Sequence, residues 1–135
     1  MFSTSVKKRV RYGETDKMGY LYYGKYANLY EIGRVEMLRD LKLPYVKLED
    51  EMGIMLPVLS VESKFLKPAY YDEELTITSI LKEMPSKLIA VHVEIHNDKK
   101  ELIHKALVKL FFIDMKTNKR ISAPEVLTEK LHSYF

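Results

Sequence analysis

The sequence predicts an α+β protein in which one antiparallel sheet carries a single long helix on one of its faces. Three observations lead there. Helical periodicity is sustained in one long stretch, where Tyr26, Leu29, Tyr30, Gly33 and Met37 recur at spacings of three and four until about Asp40. Four strand-like stretches then follow one another, over residues 54–65, 73–83, 88–97 and 101–114. The connections between them are too short for the crossover helices that parallel strands require.

Taken in chain order, Ser5 to Tyr12 alternates, with Val6, Lys8, Val10 and Tyr12 on one side and Ser5, Lys7, Arg9 and Arg11 on the other. That is the pattern of a half-buried strand at or near a sheet edge. After the polar stretch from Gly13 to Gly19 the period changes, and a helix is predicted from about Tyr23 to Asp40 with Asn28, Glu31, Arg34 and Arg39 on its polar side. Gly33 falls on the apolar stripe. Because glycine weakens a helix interior by about 1 kcal/mol, it predicts a close approach to another backbone. Pro44 and a cluster of acids place a loop between Lys42 and Met52, with a helical turn over Tyr45 to Glu51. The run Asn97-Asp98-Lys99-Lys100 marks a tight antiparallel hairpin. The apolar runs Leu75 to Leu81 and Leu102 to Ile113 predict central strands, and Pro124 opens a short helix to Leu131. The unpaired edges of such a sheet invite a second subunit, so a homodimer is expected.

Composition bounds the function. The 135 residues amount to one domain, 1–135, and 47% hydrophobic with 30% charged residues is the balance of a folded chain. There is no cysteine, which excludes a thiol nucleophile, disulfides and thiolate metal ligands and makes a reducing, cytoplasmic setting the simplest expectation. The first residues read as the start of a strand, not a signal peptide. No apolar run approaches the roughly 20 residues that span a bilayer, so no stable membrane insertion is expected. The net charge of +3 disperses 22 basic among 19 acidic residues, and with neither a basic stripe nor an RNA-binding signature no nucleic-acid partner is predicted.

The chemistry concentrates around residues 11–39, where Arg11-Tyr12-Gly13-Glu14-Thr15-Asp16-Lys17-Met18-Gly19 is followed by Tyr22-Tyr23-Gly24-Lys25-Tyr26 and then Glu31, Arg34, Glu36 and Arg39. From spacing alone, Asp16 reads first as a turn or helix-capping residue. A carboxylate ahead of a helix also has a chemical use. Unpaired N–H groups and the positive dipole end of the helix stabilise an oxygen that becomes negative, while the carboxylate supplies an attack. This stretch, the turn Lys64-Phe65-Leu66-Lys67-Pro68-Ala69 and the following Asp72-Glu73-Glu74-Leu75 resemble the 4-hydroxybenzoyl-CoA thioesterase family over nearly the whole chain. That family is a branch of the hotdog superfamily and includes the acyl-CoA thioesterases associated with the Tol-Pal system.

The resemblance implies a hotdog fold, with a curved sheet wrapped around the helix, and hydrolysis of an acyl-CoA thioester to a free acid and CoA without metal or organic cofactor. It places the catalytic aspartate on Asp16 and the oxyanion-binding backbone N–H on Tyr23. Asp16 then acts as a nucleophile that forms a mixed anhydride or as a general base on water; the sequence leaves both open. Glu14, the nearest rival carboxylate, falls outside the catalytic position. Tol-Pal-type relatives carry a histidine where this chain has Tyr23, which leaves the backbone N–H but removes a side-chain proton donor. The resemblance also implies homodimers joined edge to edge and paired into homotetramers, with sites at the subunit interface. The alternative is an inert hotdog protein that binds acyl-CoA or acts as a scaffold.

Among the remaining candidates, Tyr22, Tyr23, Pro57, Val58 and Phe65 are expected to set the depth of an acyl pocket, although packing at the helix entry explains Tyr20, Tyr22 and Tyr23 equally well. Lys64, Ser86 and Lys87 are the candidates for the CoA phosphates, at the turn after the second strand and the start of the fourth. Glu31 lies three residues from Arg34, which suggests an ion pair on one helix face in preference to a helix-borne catalytic acid. A dehydratase would need a histidine paired with an acid near the helix. His92, His96 and His104 fall in strands and His132 near the C-terminus, so all four read as packing residues. His92 and His96 lie about 13 Å apart along a strand, too far to share a metal.

Overall fold

The computed structural model describes residues 1–135. In chain order its elements are β1 (Phe2–Arg9), α1 (Tyr26–Asp40), β2 (Ile54–Met55), β3 (Val58–Phe65), β4 (Glu74–Leu81), β5 (Leu88–His96), β6 (Leu102–Asp114), β7 (Lys119–Ile121) and α2 (Glu125–Leu131). All pairings are antiparallel. The main sheet runs β1-β4-β5-β6-β3, with β2 and β7 on the far end of β6. Curled into a half-barrel around α1, it has the hotdog layout that the resemblance implies.

The two apolar runs read as central are central, because β4 lies between β1 and β5, and β6 between β5 and β3. Strand period two turns Leu75, Ile77, Ser79 and Leu81 of β4 and Ile89, Val91, Val93 and Ile95 of β5 toward the core, where each is essentially inaccessible. On α1 the buried stripe is Tyr26, Leu29, Tyr30, Gly33, Arg34, Met37 and Leu38. Full burial stabilises a side chain such as Leu38 by about 1.5–3 kcal/mol. Gly33 marks a close approach, to side chains in place of backbone. A Cβ there would stand 2.6 Å from Ser79 Oγ and 2.9 Å from Ile77 Cγ2.

Several boundaries differ from the sequence expectation, each for a local reason. The first strand ends at Arg9, and Tyr12 lies exposed in a 3-10 turn, because the Glu14 carboxylate accepts the Arg11 N–H at 2.7 Å and bends the chain there. The stretch 54–65 is two strands. Pro57, which has no N–H to donate, separates them, and the register shifts again between Val58 and Ser60. Residues Tyr23–Lys25 form a 3-10 turn that leads into α1. Arg34 belongs to the buried face of the helix, not the polar one, and no ion pair joins it to Glu31; its Nε–H donates to Tyr45 Oη at 3.3 Å. β7 was not visible in the sequence pattern. The hairpin at Asn97 is as expected, since the Asn97 side chain accepts the N–H groups of Lys99 and Glu101, both at 3.0 Å.

No helix is long and apolar enough to cross a membrane.

Candidate active site

Asp16 stands in a short loop whose two ends are tied by an isolated bridge between Thr15 and Leu21. Its own backbone closes the loop, the Asp16 N–H donating to Tyr20 O at 2.8 Å and the Gly19 N–H to Asp16 O at 3.0 Å. The side chain joins in: Oδ1 accepts the N–H of Met18 at 2.9 Å and of Tyr20 at 3.1 Å. Both bonds are local Asx-type contacts, so Asp16 caps its own turn and not α1. Gly19, at φ +82°, supplies the reversal, since a left-handed conformation strains residues with a side chain. One carboxylate oxygen is thereby fixed. The other, Oδ2, makes no hydrogen bond or ion pair within the chain.

The 3-10 turn that begins at Tyr23 has no side-chain cap, and the Tyr23 N–H meets no acceptor in the chain. It therefore offers an unpaired donor at the positive end of a helical segment. Gly24 keeps this end of the backbone open to a neighbouring ring, because a Cβ there would come within 2.7 Å of Tyr22 Cε2. Asp16 and Tyr23 line the same cleft, about 280 Å³ in volume, whose other walls are largely apolar and include Met18, Leu21, Tyr26 and Phe65. Tyr26 and Phe65 meet edge to face at 5.1 Å. Burial, helped by Tyr30 and Glu73, pushes the Tyr26 phenol up to about 12, so it forms a neutral wall.

Glu14 is committed elsewhere. Its carboxylate pairs with Lys8 Nζ at 2.8 Å in addition to the Arg11 N–H. Burial alone would raise its pKa, but these hydrogen bonds outweigh burial and hold it below the ordinary carboxylate value.

The other expected residues disperse within the chain. Tyr22 packs on Tyr23 with ring centres 4.9 Å apart, beside the cleft and not in its lining. Pro57 and Val58 lie at the opposite end of β3 from Phe65. Lys64 borders a depression with His92 and Lys105, and Ser86 and Lys87 border another between β4 and β5. No three His, Asp or Glu side chains converge as a metal site.

Four residues around the cleft escaped the sequence reading in this role. Tyr26 read only as part of a helical core stripe, and Lys67, ion-paired to Glu101, only as part of a turn. His104 and Tyr30 form a buried pair behind the cleft, with Tyr30 Oη against His104 Nε2. His104 is a packing residue, as expected, and its partner on the helix is a phenol and not the acid that a dehydratase would need. Period two announces that a strand histidine points inward, but not which helix residue it will meet.

The chain matches the model of the thioesterase-like superfamily over residues 10–131 and belongs to that family. Among its relatives there, a putative acyl-CoA thioesterase of Bacillus subtilis, YneP, is 30% identical over 112 residues, 83% of this chain and 80% of that protein. The acyl-CoA thioesterase YbgC of Haemophilus influenzae is 24% identical over 124 residues, 92% of this chain and 90% of that protein. The structure superposes on a DHNA-CoA thioesterase from Staphylococcus aureus with a TM-score of 0.84 at 28% identity, covering 100% of this chain and 85% of that one.

Proposed function

We propose that this thioesterase hydrolyses an acyl-CoA thioester to a free acid and CoA, with Asp16 supplying the attack and the Tyr23 backbone N–H polarising the carbonyl. The observation that carries the reading is the meeting of the two groups in one apolar cleft: a carboxylate with one oxygen fixed and the other unused, and a helix-start N–H with no acceptor. On attack, the carbonyl oxygen gains negative charge and the N–H strengthens its hydrogen bond to it. Collapse of the tetrahedral intermediate breaks the C–S bond and expels CoA as a thiolate. A thiol pKa near about 8.5 makes that thiolate a competent leaving group without a positioned acid, so the absence of a histidine at Tyr23 is tolerable. If Oδ2 attacks directly, the product is a mixed anhydride that water then cleaves; if Asp16 acts as a base, it removes a proton from the attacking water.

The dispersal of Lys64, Ser86 and Lys87 is accommodated by a homodimer in which two β3 edges pair and each subunit lends CoA or acyl contacts to its neighbour's Asp16. All eight residues of β3 are exposed in the single chain, Val58, Leu59, Val61 and Phe65 among them. An unpaired apolar edge of this kind favours strand addition by a second copy.

The test is CoA release from short, long and aromatic acyl-CoAs by wild type and Asp16→Asn. Asparagine keeps a side-chain oxygen for the Met18 and Tyr20 N–H groups, so the variant should fold while losing about a hundredfold or more in kcat. Turnover by Asp16→Asn near the wild-type rate refutes the role of Asp16. Tight binding of acyl-CoA by wild type with no turnover identifies an inert binding protein instead.

A further inference from the structure

A second cavity, of about 500 Å³, lies between the far half of α1 and the loop that follows it, walled by Arg34 and Val35 on one side and Pro44, Tyr45 and Val46 on the other. It shares no residue with the Asp16 cleft. Along the helix, Arg34 stands roughly 16–18 Å beyond Tyr23. The loop is pinned from beneath: Leu43 and Leu48 are buried in the core, and the Leu43 N–H donates to Leu38 O at 2.9 Å. That anchoring leaves Tyr45 and Val46, between the two leucines, to form the wall opposite the helix.

Arg34 is the unusual member. Helical spacing puts it on the buried stripe beside Gly33 and Met37, where it is 8% exposed. Its Nε–H donates to Tyr45 Oη at 3.3 Å, the one hydrogen bond its side chain makes. No ion pair of the chain includes it. Both Nη groups lack an acceptor and retain solvent contact, at the cavity that Arg34 lines. A charge so far withdrawn from water is costly unless an opposite charge meets it. The planar fork of a guanidinium matches a carboxylate through two parallel N–H···O bonds. Tyr45 accepts from Arg34 and still has its own O–H to donate to the same anion.

The rest of the lining narrows the class of anion. Glu31 and Glu49 are exposed at the rim and neither pairs with Arg34, while Arg39 at the same rim is held by Glu36 at 3.3 Å. Two rim carboxylates repel a dianion such as phosphate more than a monoanion. Val35, Pro44, Val46 and the Tyr45 ring offer apolar surface to the body of a ligand, and the volume falls within the range of about 300–1,000 Å³ usual for small-molecule sites. We propose that this cavity binds a small aliphatic monocarboxylic acid, its carboxylate forked on Arg34 and its chain laid against Tyr45 and Val46. The site is separate from the hydrolytic one and does not depend on the reading of Asp16.

The probe is sodium hexanoate, titrated into isotope-labelled protein with the amide resonances followed residue by residue and with inorganic phosphate as the comparison. Hexanoate should produce saturable shifts within residues 31–49 and bind more tightly than phosphate. Arg34→Lys keeps the charge but loses the fork, and should weaken binding about tenfold or more. Because Arg34 is buried, Val46→Asp serves as a second variant: Val46 is 62% exposed, so the fold tolerates the change while the new carboxylate repels the ligand. Shifts confined to the Asp16 cleft, or affinity unchanged in both variants, overturn the proposal. Phosphate binding as tightly as hexanoate refutes the monocarboxylate class. A wild type that takes up no hexanoate, together with a smaller sedimentation coefficient in Val46→Asp, means that a second copy of the chain covers the cavity and also overturns it. None of these outcomes touches the assignment of Asp16, which CoA release decides.

Discussion

Asp16 and Gly19 act as one unit. Gly19 turns the chain at φ +82°, which brings the Met18 and Tyr20 N–H groups onto the same oxygen of Asp16 and leaves the other free. Gly19→Ala places a side chain in a left-handed conformation at a cost of about 1–2 kcal/mol. The expected outcome is a melting temperature lower by a few degrees and a kcat about tenfold or more below wild type, because small displacements of a reacting group are costly. A normal kcat would show that this turn does not hold Asp16 for catalysis. Asp16 itself was legible in the sequence as a carboxylate ahead of a helix. Of its two non-catalytic readings, turn or helix cap, the structure selects the turn, which the sequence could not do because Thr-Asp before a helix is compatible with both. Arg34 illustrates the same limit. Its spacing from Glu31 suggests an ion pair, but Tyr45 arrives from a loop and accepts the bond instead.

At the scale of elements, the two sheet edges differ. β1 carries Lys7, Lys8 and Arg9, the kind of charged edge that resists further strand addition. β3 exposes Val58, Leu59, Val61 and Phe65. Val61→Asp should therefore shift the protein toward monomer in analytical ultracentrifugation, with a parallel fall in activity if each site borrows groups from its neighbour. An unchanged sedimentation coefficient would rule out β3 as the joining edge. The long strands and α1 were legible because their periods persist over many residues. β7 was not, since three residues, Lys119–Ile121, are too few to show a period and pair only because the far end of β6 is available. The division of 54–65 was signalled by Pro57, whose missing N–H breaks a ladder wherever a partner strand demands one.

For the molecule as a whole, a buried histidine and a half-buried glutamate predict the response to acid. Burial lowers the His104 imidazole from 6.5 to about 4. Glu14 is also held below its ordinary value, its hydrogen bonds from Lys8 and Arg11 outweighing burial. In both cases the folded state binds its proton less readily than the unfolded state, so stability is full above the unfolded pKa and is lost as pH falls through the folded one. The His104 contribution should disappear between pH 6.5 and about 4. The Glu14 contribution follows below 4.5. Thermal melts of wild type and His104→Phe across this range check the first part. Wild type should lose melting temperature from pH 6.5 downward more steeply than the variant, and identical slopes would remove His104 from the account.

By itself the sequence determined the architecture and the position of the candidate carboxylate. Helical and strand periods, the hairpin at Asn97 and the short connections favour an antiparallel sheet with one long helix on a face, the family resemblance adds the hotdog curl, and the motif around Asp16 survives because its residues are contiguous. Only the tertiary structure decided what surrounds that carboxylate. Phe65, Tyr26, Tyr30 and His104 come from three elements separated by up to 78 positions, and nothing in a local period records which of them will meet. The curl of the sheet around α1 brings them together. Asp16 thus has its turn from its own neighbours in sequence, and its cleft from packing.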